Sequence, residues 1–135
     1  MRYIKSAFLF LFLTGCSTNI QQYANNYKNN SIYGTWEEFD SKDVNELIIK
    51  KDGNFTFTAM PFEVYKDYWG VYKIDKFKHT ISFKIKGGNN IPKDAKLKNV
   101  KYAFDKNGRL ILTNFYYGSV SKNSKKRDIY IFKHF

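Results

Sequence analysis

From position 31 onward, apolar and polar residues alternate with a period of two. That spacing turns one face of a strand to a core and the other to water. Residues 33–39 make the first such run and residues 44–51 (VNELIIKK) the second. Lys51-Asp52-Gly53-Asn54 then reads as a hairpin turn, because glycine supplies the positive φ that a tight turn needs. Residues 54–60 (NFTFTAM) set Phe55, Phe57 and Ala59 against Thr56 and Thr58, and Pro61 ends the run. Residues 68–75 (YWGVYKID) follow. In residues 79–86 (HTISFKIK), Ile81, Phe83 and Ile85 point inward while Ser82, Lys84 and Lys86 point outward. Residues 87–94 (GGNNIPKD) read as a loop. Val100, Tyr102 and Phe104 form the next inward set, Asp105-Lys106-Asn107-Gly108 turns the chain into residues 109–114 (RLILTN), and residues 127–132 (RDIYIF) close the series. No helical stripe of useful length follows residue 30, although residues 40–46 could make one turn. Eight short strands joined by hairpins predict an all-β antiparallel barrel, because closure leaves no unpaired edge. A two-sheet sandwich and an open five-stranded barrel share the pattern.

The first sixteen residues, MRYIKSAFLFLFLTGC, follow a different logic. Arg2 and Lys5 precede an unbroken apolar run over residues 7–13, too short for a bilayer-spanning helix, which needs ~20 residues. The Leu13-Thr14-Gly15-Cys16 segment resembles a bacterial lipobox, and Cys16 is the only cysteine of the chain. The resemblance implies a signal peptide over residues 1–15, cleaved before Cys16, whose thiol is diacylated to give a membrane anchor. An uncleaved anchor or a plain secretory signal is the alternative. By likeness to the sorting rule of enterobacterial lipoproteins, Ser17 after the cysteine favours the outer membrane, with the chain facing the periplasm. Residues 17–30 (STNIQQYANNYKNN) carry one charge, Lys28, and no apolar face, so residues 16–30 read as a lipidated tether, with a short helix over 21–27 as the competing reading. The organisation expected is a signal peptide, a tether and one β domain over residues 31–135.

Composition narrows the choice further. The chain has 135 residues, a length that suits a single domain. With one Cys and two His it excludes a disulfide scaffold and a Cys-rich zinc module. An aromatic content of 19% excludes a disordered chain, since burying so many rings offsets the entropy of ordering.

The motif Ile32-Tyr33-Gly34-Thr35-Trp36 resembles the opening strand of lipocalin-like proteins, marked by Gly-x-Trp. Residues 47–57 (LIIKKDGNFTF) are similar to the second hairpin of small bacterial lipocalin-like domains. Gly70-Val71-Tyr72-Lys73-Ile74 and Ile81-Ser82-Phe83 resemble their next two strands. The likeness covers about residues 31–135 and implies a small eight-stranded, calycin-type barrel. It also implies that Trp36 plugs one end, with Gly34 allowing close approach, and that an arginine from a late strand, Arg127 or Arg109, stacks on the Trp36 ring. These are the only arginines after residue 16. The domain is shorter than classical lipocalins, and Thr113-Asn114-Phe115-Tyr116 only loosely echoes the Thr-Asp-Tyr motif of that family. A narrow barrel can be filled by its own side chains.

Candidate chemistry is sparse. Glu37 and Glu38 are adjacent in a strand and face opposite sides, so they cannot share a site. His79 and His134 lie far apart and read as surface residues. Gly87-Gly88 lacks the strand-to-helix setting of a phosphate loop. No enzyme, metal or cofactor is expected. Without residues 1–15 the chain keeps 21 basic against 12 acidic side chains, a net charge of +9. Residues 53–135 alone hold 17 bases and six acids. A location in the cell envelope excludes nucleic acid as the partner of this basic surface and leaves anionic lipid headgroups, an acidic protein or a simply solvated lysine-rich surface. Two functions fit. One is a lipocalin-like carrier whose interior, lined by Phe55, Phe57, Tyr72, Ile81, Phe83, Ile85, Tyr102 and Phe104, takes a small apolar molecule or lipid. The other is a protein-binding lipoprotein (immunity, inhibitor or assembly factor) in which the same side chains are packed core and the loops 87–98 and 115–126 meet the partner.

Overall fold

The computed structural model describes residues 31–60, 66–119 and 127–135. The expected signal peptide, Cys16, the expected tether and Pro61 lie outside the described residues. Within Ser31–Phe135, which forms one compact unit, the alternating runs become eight strands. They are β1 (Gly34–Glu38), β2 (Val44–Ile49), β3 (Asn54–Met60), β4 (Lys66–Asp75), β5 (Thr80–Asn89), β6 (Val100–Phe104), β7 (Leu110–Thr113) and β8 (Ile129–His134). Each pairs antiparallel with its neighbours in chain order, and β8 returns to β1, so the sheet is a closed barrel. The architecture is consistent with a lipocalin-like barrel, and the sandwich and the open barrel are set aside.

Parity along each strand decides what is inside. Leu47 and Ile49 of β2, Phe55, Phe57 and Ala59 of β3, Leu110 and Leu112 of β7, and Tyr130 and Phe132 of β8 are all buried. Full burial of a large apolar side chain contributes roughly 1.5–3 kcal/mol, so this inward row supplies the main stabilising force. The register agrees: Leu47 pairs with Phe57 and Ile49 with Phe55, which stacks inward side chains in layers.

The structure departs locally from the sequence reading in three places. β5 runs on to Asn89 instead of ending at Lys86. Gly87 permits this, since a Cβ there would come within 2.8 Å of the Trp69 ring lying across it. A register shift at Trp69/Gly70 accompanies it. Gly70 also admits no side chain, because a Cβ would fall 1.9 Å from the Lys84 carbonyl oxygen. β8 begins at Ile129 and ends at His134, so Arg127 lies before the strand and His134 within it. Residues 40–46 form no helical turn; a tight turn at Asp40, in the left-handed region at φ 57°, leads into β2.

The meander gives the barrel two unlike ends. One carries the short turns β2–β3, β4–β5 and β6–β7, together with the entry of the chain at Ser31 and its exit at Phe135. The other carries the long connections β5–β6 and β7–β8. Trp36 fills the short-turn end. Its Nε1 donates to the Ile32 carbonyl at 2.8 Å, and its ring meets Phe104 at 6.1 Å between centroids. In residues 17–135, Trp36→Ala and Phe57→Ala are each expected to cost about 3–5 kcal/mol in urea denaturation, the range for emptying a packed aromatic site. A loss under about 1 kcal/mol at Trp36 would place its ring outside the core.

Candidate functional site

Strand parity carries two polar side chains into the barrel near its long-loop end. Trp36 points inward in β1, so Glu38, two residues on, does the same, and Glu37 faces out, where Lys133 pairs with it at 3.8 Å. In β2, Asn45 shares the inward row of Leu47 and Ile49. Glu38 and Asn45 are the two buried polar residues among those described. The Asn45 Nδ2 donates to Glu38 Oε2 at 2.6 Å and also lies 3.4 Å from Ser41 Oγ and 3.3 Å from the Tyr117 hydroxyl. Arg127, just before β8, reaches over and pairs with Glu38 Oε1.

Aromatic rings frame this cluster. The Arg127 guanidinium lies over the Tyr130 ring, 4.7 Å from its centroid. Phe57 is stacked between Tyr68, at 5.1 Å, and Tyr117, at 4.9 Å. The Tyr68 hydroxyl donates to the Tyr117 carbonyl at 3.1 Å. Burial pushes the Tyr68 hydroxyl far above its ordinary pKa, with the neighbouring Tyr117 and Tyr130 adding to the effect. Burial does the same at Tyr117, reinforced by the Glu38 charge and opposed by Arg127. At Tyr130 burial again raises the pKa, and Arg127 draws it part of the way back.

Two atoms here are unmet, the Asn45 Oδ1 and the Tyr130 hydroxyl. The Asn45 Oδ1 is buried and has no hydrogen-bond partner among the described residues. Turning the amide over would set its oxygen against the Glu38 carboxylate, a repulsion that the Ser41 and Tyr117 hydroxyls nearby would not offset. Glu38 therefore dictates which way the amide faces, and its oxygen is left as an acceptor for an incoming donor. Such an orphan is rare in folded proteins and calls for an explanation.

The residues singled out from sequence fall into three groups. Phe55, Phe57, Ile81 and Phe83 are buried in the core, and Tyr72, Ile85, Tyr102 and Phe104 are half-buried against it. Phe55 meets Phe83 edge-on at 4.8 Å, and Phe115 touches Phe83, Tyr130 and Phe132 at 5.4–6.3 Å. Phe115, expected in a surface loop, is thus core. The arginine pairing expected on Trp36 does not form. Arg109 lies over Phe39, 4.0 Å from its centroid, and Arg127 is held by Glu38 and Tyr130. The ring on Trp36 is that of His134, edge-on at 4.8 Å, because β8 pairs His134 directly with Trp36. Gly34 makes room for it: a Cβ there would sit 2.7 Å from His134 Nε2. His134, expected as a surface residue, is an exposed residue whose ring caps the Trp36 end. Cys16 lies outside the described residues. Sequence reasoning missed the Glu38–Asn45–Arg127 cluster, although parity from Trp36 and from Leu47 signals the first two.

No protein-family model, curated protein or solved structure matches the chain. Among the described residues, no group of three or more His, Cys, Asp and Glu side chains is placed to hold a metal ion.

The Glu38 side chain is 1% exposed and the Arg127 side chain 53%. Arg127→Ala should therefore cost about 1–3 kcal/mol, less than a fully buried pair because water already screens the guanidinium. Adding Glu38→Gln should recover part of that loss in urea denaturation, since it removes the stranded charge. A double variant no more stable than Arg127→Ala would show that the carboxylate is not desolvated.

The raised tyrosines predict alkaline sensitivity. Their folded pKa values exceed the unfolded value, so they contribute fully below about pH 10 and lose that contribution as pH climbs through the folded values. For a buried phenol the slope is ~1.4 kcal/mol per pH unit. Stability measured between about pH 9 and about pH 11.5 should fall less steeply in Tyr68→Phe than in the wild type. Equal slopes would mean that Tyr68 titrates in the folded state as it does in water.

Proposed function

We propose that the chain is a non-enzymatic lipoprotein of the cell envelope. In this reading Cys16 carries the anchor, the outer membrane holds it, and the barrel faces the periplasm. It acts by binding a protein with an acidic surface at the long-loop end, in an immunity, inhibitor or assembly role. The observation that carries this reading is the ring packing: Phe57 sandwiched by Tyr68 and Tyr117, and Phe115 wedged among Phe83, Tyr130 and Phe132. Side chains that interlock this way occupy the space an apolar ligand would need. The long-loop end supplies what a partner can read, with the half-exposed Arg127 at its rim.

The second reading is a carrier of a small molecule, and the Asn45 Oδ1 favours it, since a bound hydrogen-bond donor would satisfy that atom. Titration of residues 17–135 with a fluorescent fatty acid separates the two for apolar ligands. No saturable binding is expected. Stoichiometric, saturable binding would replace the protein-binding role with that of an apolar carrier. The anchor is tested separately. Cys16→Ser should accumulate as an uncleaved, unlipidated precursor in detergent partitioning. A serine variant that still partitions as the mature, lipid-modified protein would overturn the lipobox reading.

A further inference from the structure

The short-turn end of the barrel has a regularity that the fold does not require. Each of its three turns contains an aspartate with one carboxylate oxygen bonded to backbone amides of the same turn. Asp52 Oδ1 accepts from the Asn54 amide at 3.0 Å. Asp75 Oδ1 accepts from the amides of Phe77 and Lys78, both at 3.0 Å. Asp105 Oδ1 accepts from the amides of Asn107 and Arg109 at 2.8 and 2.9 Å. The lysines beside them are all exposed: Lys50 and Lys51 on the first turn, Lys76 and Lys78 on the second, Lys106 on the third. Five exposed lysines stand against three aspartates at these turns, so this end carries a net positive charge.

At the tip of the β4–β5 turn stands Phe77, 98% exposed. The two bonds to Asp75 and the left-handed conformation of His79, at φ 51°, define the backbone of the tip, and the Phe77 ring projects into solvent. Phe135, 80% exposed, ends the chain at the same end. An aromatic ring on a rigid tip between two lysines suits one environment in particular, the interface of an anionic bilayer. There the ring enters the apolar boundary while the ammonium groups stay at headgroup level.

We infer that the short-turn end of the barrel docks on an anionic lipid surface, with Phe77 inserted and the turn lysines on the headgroups. Connectivity supports the occupant: the chain enters the barrel at this end, and fourteen residues separate Cys16 from Ser31. That support rests on the lipoprotein reading, whereas the charge and the Phe77 tip do not.

The test uses residues 17–135, which lack the anchor and keep every strand of the closed barrel and all of its buried core. It sediments them with vesicles of phosphatidylglycerol and phosphatidylcholine, or of phosphatidylcholine alone. Binding is expected only to the anionic vesicles, falling with added salt. Each lysine near the surface contributes about fivefold, so the double variant Lys76→Glu, Lys78→Glu should weaken binding by at least about twentyfold. Phe77→Ser should weaken it about tenfold, the loss of a partly buried ring. A matched charge change at the opposite end, Lys42→Glu with Lys93→Glu, should have far less effect. Equal losses from both double variants, equal binding to neutral vesicles, or no vesicle binding at all would each overturn the inference. Because the anchor is absent, none of these outcomes depends on whether Cys16 is lipidated.

Discussion

Closure of the sheet by the β1–β8 seam is the constraint on which the other features depend. Three residue pairs make the seam: Trp36 with His134, Glu37 with Lys133 and Glu38 with Phe132. Backbone bonds extend it at both ends, from Phe39 N to the Ile131 carbonyl at 2.7 Å and from Phe135 N to the Thr35 carbonyl at 2.9 Å. This register sets three things at once. It brings His134 onto Trp36 at one end, sends Glu37 outward to Lys133, and turns Glu38 inward toward Arg127. A slip of one residue would exchange the two faces and bury Glu37 in place of Trp36 and Glu38.

The seam on the far side is built differently. β5 and β6 pair at only two positions, Thr80 with Lys101 and Ile81 with Val100. Beyond them the β5–β6 connection takes over the work of a strand. Asn99 N donates to Ser82 Oγ and Phe83 N to the Leu97 carbonyl, each at 2.9 Å, and Lys96 forms a bridge with Tyr116. Buried backbone groups of β5 thereby find partners although no full strand is available. Leu97 of the same connection also packs against the core, so one loop contributes to both the hydrogen bonding and the packing of that wall.

The two ends of the barrel divide its physical character. At the short-turn end, closure by Trp36, Phe104 and His134 is rimmed by tight turns whose aspartates bond their own backbone amides. At the long-loop end, a buried carboxylate, an amide and a guanidinium sit among phenol rings. Burying such groups offsets part of the stability that the ring packing supplies. A polar cluster placed at that cost beside the longest loops marks the end at which recognition is proposed, and the lysine-rich turns mark the end proposed to meet lipid.

Much of this was legible in the chain itself. Period-two alternation and the Asp-Gly and Asp-Lys-Asn-Gly turns set out eight strands in order, and a meander of that many short strands points to a closed barrel. Parity placed Phe55, Phe57, Ile81 and Phe83 inside, because which side of a strand a residue faces depends only on its neighbours in sequence. The same parity reaches Glu38 and Asn45, counted from Trp36 and Leu47. Partner choice is a different kind of information. That His134 rather than an arginine meets Trp36, that Arg127 pairs with Glu38, and that Phe115 is core all follow from the register of strands far apart in sequence. That register is settled by closure and by how rings of different shape fill a shared interior, and no local pattern encodes it.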